Sequence, residues 1–168
     1  MDAEQIQERL TRLSSGVAVV RVGAPTEIEM VEKKHRIEDA LEAVRSAQQD
    51  GVVSGGGLTL YRISQSIMED IKDLDLSRDQ SFAADIFLDV LQSPIATMAQ
   101  NAGFDYDEVN ELIGSETEHI GFNFLTGQVV DMYESGIIDP AKVTKNALRN
   151  AVSAAGTLLT TNFAIIEE

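Results

Sequence analysis

Apolar positions in this chain recur mostly at helical spacing, and two β-branched or apolar runs interrupt the pattern. Residues 4–13 predict a short helix ended by Ser14, Ser15 and Gly16. Residues 17–22, VAVVRV, carry the best strand signal. Gly23, Ala24 and Pro25 form a turn, and Thr26 with Glu29 makes a capping box opening a long helix to about Gln49. On that helix Ile37, Leu41 and Val44 share a face, with Asp39 roughly 200° around the axis from it. A short apolar pair, Val52 and Val53, then meets three consecutive glycines, Gly55, Gly56 and Gly57.

Beyond the glycines, Leu60, Ile63, Ile67, Ile71 and Leu74 give a second helical stripe. Ser77 with Gln80 is another capping box, and its helix carries Phe82, Ile86, Phe87, Val90 and Leu91 on more than one face, which predicts a central helix. Ser93-Pro94 suggests an N-cap followed by proline at the first position of a new helix, ending near Gly103. Residues 106–113 predict a short helix, and residues 115–138, with three glycines and preceded by Gly114, are less regular. Asp139-Pro140 opens a helix through Val143, Ala147, Ala151, Ala155 and Leu158, whose small residues suit close packing. Residues 163–166 end the chain as a short strand. The predicted class is mainly α, a multihelical bundle with a few short β-strands. The two predicted strands lack hairpin partners, and an unpaired strand leaves its backbone groups unsatisfied. They pair either with each other or with strands of another chain, and the second is favoured.

Charge and composition narrow the function. A length of 168 residues with 43% hydrophobic content supports a real core. Thirteen basic against 28 acidic side chains, a net charge of −15, argue against nucleic acid as the main partner. No run approaches the ~20 apolar residues of a membrane span, and the N-terminus lacks a signal-peptide core, so the expected location is cytoplasmic. There is no cysteine, which removes thiolate metal sites and Cys nucleophiles. His35 and His119 have no companion ligands, so no metal site is expected within these residues. The acidic run at residues 105–111 lacks the glycine of a calcium loop and is expected to be a solvated helix start.

The candidate chemistry is weak when read from spacing. The glycine run is neither GxGxxG nor a P-loop, and as a plain turn between helices it needs no ligand. Asp39 is one more carboxylate on a solvated helix face, and Asp139-Pro140 has a sufficient structural role as N-cap and first helical residue.

Taken in order, the pieces are more specific. ERLTRLSSGVAVVRVGAPTEIEMVEKKHRIEDALEAVRSAQQDGVVSGGG, the region of Asn123, and GIIDPAKVTKNALRNAVSAAGTLLTT resemble the C-terminal part of the large subunit of group I chaperonins, the GroEL type. The resemblance is close over residues 8–62 and 136–161 and loose over 64–117. It implies an equatorial-domain-like bundle. Residues 1–16 would be a remnant of the exit from the apical domain. Residues 17–49 would be an intermediate, hinge segment, and 50–168 the C-terminal half of the equatorial domain. The last strand would join a neighbouring subunit's sheet by β-augmentation.

The resemblance also implies a site. Asp39, in RIEDALEA, matches the catalytic aspartate that orients water toward the ATP γ-phosphate. Gly55 and Gly56 match glycines whose backbone lies against the nucleotide. Asp139 matches a carboxylate near the ribose, and Asn123 an asparagine near the adenine. Phe124 and Leu125 depart from the two alanines usual after that asparagine, and larger side chains there narrow the base pocket. The family grips the phosphates and Mg²⁺ with a DGTTT-type segment, which these 168 residues do not contain. The implied cofactor is therefore ATP, with Mg²⁺ supplied through an N-terminal half that this sequence lacks. The expected role is one part of an ATP-dependent protein-folding ring, with little or no ATPase in the isolated chain. Implied partners are other chaperonin subunits or that missing half, with unfolded clients and co-chaperonin reached through the parent assembly. The alternative is a non-catalytic chaperonin-derived binding or assembly module. No other catalytic constellation supports an unrelated enzyme.

Overall fold

Helices dominate the computed structural model of the chain, which describes Ile6, Arg9, Leu10 and residues 18–163. The chain divides into two units, residues 1–42 and 43–168, with the boundary inside the first long helix.

In the first unit Ile6, Arg9 and Leu10 are helical, on the segment predicted as a short helix. The predicted strand at residues 17–22 does not form across its described part. Residues 18–22 have no regular structure, and Val19 and Val20 are exposed. β-Branched residues favour a strand only where a neighbour pairs with it, and no described strand pairs here. Helix α1, Glu27–Asp50, starts as expected, with the Glu29 amide donating to Thr26 Oγ1 at 3.3 Å. It buries no residue, and the Leu41 and Val44 stripe is exposed.

The second unit holds the core. Strand β1 (Val52–Ser54) leads through the glycine turn into α2 (Leu58–Lys72). Helix α3 (Arg78–Ala102) and α4 (Tyr106–Gly114) follow. Then come a hairpin of β2 (Ile120–Asn123) and β3 (Gln128–Asp131), strand β4 (Ile138–Pro140) and α5 (Ala141–Leu159). The strands form two antiparallel ribbons, β1 with β4 and β2 with β3. Neither ribbon is predicted from the sequence: residues 115–138 contain a hairpin, and Val52-Val53 belongs to a paired strand. Phe163 is irregular, and residues 164–166 of the predicted final strand lie outside the described residues.

Leu58, Tyr61, Ile95, Ala99, Val109, Ile113, Phe122 and Met132 form the buried cluster. Burying a large apolar side chain contributes about 1.5–3 kcal/mol. The α2 face that enters it is Leu58, Tyr61 and Ser64, not the predicted stripe, of which Ile63 and Leu74 are exposed. The structure also merges two predicted helices. Helix α3 starts at the Ser77–Gln80 capping box and runs through Pro94 without stopping. Proline removes one helical N–H; the carbonyl it would have served belongs to exposed Val90, where water can satisfy it. Nor is α3 central throughout: Leu91, Ile95 and Ala99 are buried, whereas Phe82, Ile86 and Val90 are exposed. By length and hydropathy α3 passes as a membrane span, but its first half carries Asp79, Asp85 and Asp89 and its second half packs into the core.

Asp105 caps α4 by accepting from the Asp107 and Glu108 amides, so the acidic run is the helix start expected from sequence. Arg62 joins α2 to the segment beyond α4: its Nη2 donates to the carbonyls of Ile113 (2.9 Å), Thr117 (3.2 Å) and Ile120 (3.1 Å). Tyr61 Oη bonds Asn110 Oδ1 at 2.5 Å, tying α2 to α4 directly.

Candidate functional site

The glycine turn and the GIIDP segment meet in one place. Strands β1 and β4 pair with Val53 opposite Asp139, and the Ala141 amide donates to Gly51 O at 3.0 Å. One step further, the Gly55 amide donates to Ile137 O at 2.9 Å, and the Leu58 amide closes the turn on Gly55 O at 3.1 Å. Three of the five predicted site residues, Gly55, Gly56 and Asp139, thus belong to one hydrogen-bonded unit.

The glycines have packing reasons to be glycine. A Cβ on Gly55 would lie 3.1 Å from the Ile137 carbonyl carbon and oxygen, so the two backbones need that bare position to approach. Gly57 has φ +75° and caps α2, and a Cβ there would lie 2.9 Å from the Ile95 amide nitrogen. The Gly55 amide is engaged, whereas the Gly56 and Gly57 amides find no acceptor among the described residues. Helix α2 also starts without a side-chain cap. Unsatisfied amides at a helix N-terminus favour an anionic or polar ligand.

The capping role predicted for Asp139-Pro140 is corrected. Both residues lie on β4, Pro140 is the N-cap of α5, and no side chain caps that helix. Pairing with β1 holds Asp139 in extended geometry one residue too early to cap. Its carboxylate accepts no hydrogen bond and forms no ion pair among the described residues. Nearby protein bulk raises its pKa above the usual carboxylate value by desolvation, although one side stays open to water. An ionisable group shifted without a structural partner is a functional candidate. Because the folded pKa is raised, ionisation opposes folding. The penalty is absent below the ordinary value of 3.8 and appears as pH rises through the folded pKa. Asp139→Asn should therefore raise the melting temperature at pH 7 but not at pH 3. Equal shifts at both pH values in thermal melts would contradict the desolvation account.

Asn123 ends β2, and its Oδ1 accepts from the Leu125 amide (3.0 Å) and the Thr126 amide (3.4 Å), so it shapes the hairpin turn. Its side-chain amide nitrogen keeps both donors for a ligand. Phe124 turns toward the core, edge-on to Phe122 at 5.2 Å, while Leu125 is exposed. Asp39 belongs to the first unit, where it lies exposed on α1. Neighbouring charges on α1 pair among themselves, Lys34 with Glu38 and Arg36 with Glu32, and leave Asp39 without an ion pair among the described residues. Sequence reasoning missed Ile137 and Met132, which hold the turn in place; no periodicity marks either. An open groove lined by Ser93, Thr97, Gln100, Phe104 and Tyr106 contains none of the predicted residues.

Comparison with known proteins identifies the family and the fold. The model of the TCP-1/cpn60 chaperonin family matches residues 5–168. A solved structure described as a group III chaperonin in the open state is similar at a TM-score of 0.76 and 32% identity. The similarity covers 90% of this chain and 31% of that one, so the sequence spans about a third of that chaperonin's length.

Proposed function

The chain belongs to the TCP-1/cpn60 chaperonin family, and from that premise we propose that it supplies the nucleoside-facing side of an ATP site in a ring-forming, protein-folding assembly. The observation that carries this reading is the joining of the glycine turn to the strand bearing Asp139. The donor set fits a nucleotide. Two amides at an uncapped helix start suit polar or anionic groups, an unpartnered carboxylate suits ribose hydroxyls, and the Asn123 amide suits a base edge. ATP would supply the cleavable γ-phosphoryl bond. In this reading Asp39 orients the attacking water and accepts its proton, while phosphate and Mg²⁺ are gripped by residues outside these 168. The group I resemblance remains our finer reading, carried by the closely matching residues 8–62 and 136–161. Assembly with other chaperonin subunits, and action on unfolded clients with a co-chaperonin, belong to the same proposal.

A ¹⁵N-labelled sample titrated with ATP tests it. The amides of Val53, Gly55, Gly56, Gly57 and Asp139 should shift together and saturate, with a Kd of about 1 mM or weaker for half a site. No movement of these amides at about 10 mM nucleotide would overturn the reading. In that case the second reading, an assembly module without nucleotide, would stand. It is favoured by the apolar surface that the described residues leave open: Phe82, Ile86 and Val90 on α3, and Val143, Val152, Leu158 and Leu159 on α5. Exposed apolar side chains on a helix face favour association.

A further inference from the structure

We infer that Met132 is a positioning residue for the nucleotide-facing turn: its side chain spans from the hairpin to Gly56 and sets where that turn sits relative to Asp139. The inference rests on the nucleotide reading above and adds to it a residue that makes no contact of its own with the ligand.

Met132 follows β3 directly and is fully buried. Its side chain lies between two glycines. A Cβ on Gly121, in β2, would lie 2.9 Å from Met132 Sδ and 3.0 Å from its Cγ. A Cβ on Gly56 would lie 2.9 Å from its Cε. One end of the thioether thus rests against the hairpin, and its terminal methyl rests against the turn. An unbranched, flexible side chain suits such a gap, whereas a branched one of similar volume does not reach as far.

The backbone repeats the connection. The Met132 amide donates to His119 O at 3.0 Å, and Met132 O accepts from the Ile137 amide at 2.8 Å. Ile137 O in turn accepts from Gly55 at 2.9 Å. Peptide groups therefore link the hairpin that carries Asn123 to Gly55 through Met132 and Ile137, and Asp139 lies two residues beyond Ile137. Interiors are close-packed and transmit small displacements. Shortening the side chain at 132 lets Gly56 move while the hydrogen bond at Gly55 stays, which tilts the turn relative to Asp139.

The experiment compares Met132→Leu, Gly56→Ala and the double variant in the full chain, by thermal melt and by the same ATP titration. Met–Leu exchange conserves volume, so Met132→Leu should keep the melting temperature within about 4 °C. It should nonetheless displace the free-state Gly55 and Gly56 amide resonances and weaken ATP binding about tenfold, as misplaced positioning groups do. Gly56→Ala should lower the melting temperature by about 5 °C or more, because Met132 Cε occupies the added methyl's place. Adding Met132→Leu should recover part of that loss, leaving the strain of a left-handed alanine. Additive melting shifts, or a Met132→Leu chain with unchanged Gly55 and Gly56 resonances and unchanged affinity, would overturn the assignment and leave the nucleotide reading intact. A wild-type chain that does not titrate would overturn the nucleotide reading and with it the ligand role of Met132.

Discussion

Asp39→Ala is expected to lower ATP turnover about 10²–10⁴-fold in a completed site, the range for losing a positioned general base, with no loss of melting temperature. Asp39 is exposed on a helix that buries nothing, and it has no ion pair among the described residues, so it holds no part of the fold together. Alanine is also the better helix former at that position. A group that can be removed without structural cost and yet abolishes turnover acts on the reaction itself. The measurement is single-turnover hydrolysis by the chain recombined with a polypeptide that carries a DGTTT-type segment, since clamp and base must share one site. The 168 residues alone should show no chaperonin-like turnover. Hydrolysis by the isolated chain at such a rate would contradict the division of the site proposed here, and unchanged turnover in Asp39→Ala would remove Asp39 from the mechanism.

Gly57→Ala is expected to be strongly destabilising, by about 2–5 kcal/mol. A left-handed conformation costs a non-glycine residue about 1–2 kcal/mol, and Gly57 has φ +75°. The added methyl also meets backbone: it would lie 2.9 Å from Ile95 N and 3.1 Å from Ile95 Cα, in the middle of α3. A side chain can swing aside, but a helix backbone cannot, and overpacking of this kind costs about 1–3 kcal/mol or more. For a chain of this size the sum corresponds to a melting temperature lower by about 10 °C. Gly103→Ala is the control. Its φ is +82°, but nothing lies near its Cβ position, so only the backbone cost applies. Similar losses for the two variants in calorimetry would show that the approach of α2 to α3 is looser than described.

The two substitutions probe different kinds of legibility. Asp39 was invisible to periodicity, which placed it on a solvated face, and that placement is correct. The role proposed for it rests on the family resemblance alone. The glycines were visible as a turn, but their reasons were not: Gly55 and Gly57 are glycines because Ile137 and Ile95 approach them, and neither neighbour is local in sequence. Asp139 shows the opposite failure. Asp-Pro before a helix is a good capping signal, yet pairing with β1 drew both residues into a strand.

Helix starts were legible because they are local chemistry. Thr26 with the Glu29 amide, and Ser77 with Gln80, satisfy backbone groups three residues away, within reach of any short window of sequence. Membership of the chaperonin family was legible for a related reason, since it rests on ordered motifs rather than on packing. The four short strands, the face of α2 that turns inward and the passage of α3 through Pro94 were settled by contacts between distant segments. Strands of three or four residues are too short for alternation to show, and a strand exists only when its partner arrives. A helix with apolar residues on several faces buries whichever one its neighbours reach. That is why Leu58 and Tyr61 entered the core in place of the predicted stripe, and why Gly55 and Asp139 became neighbours only in the folded chain.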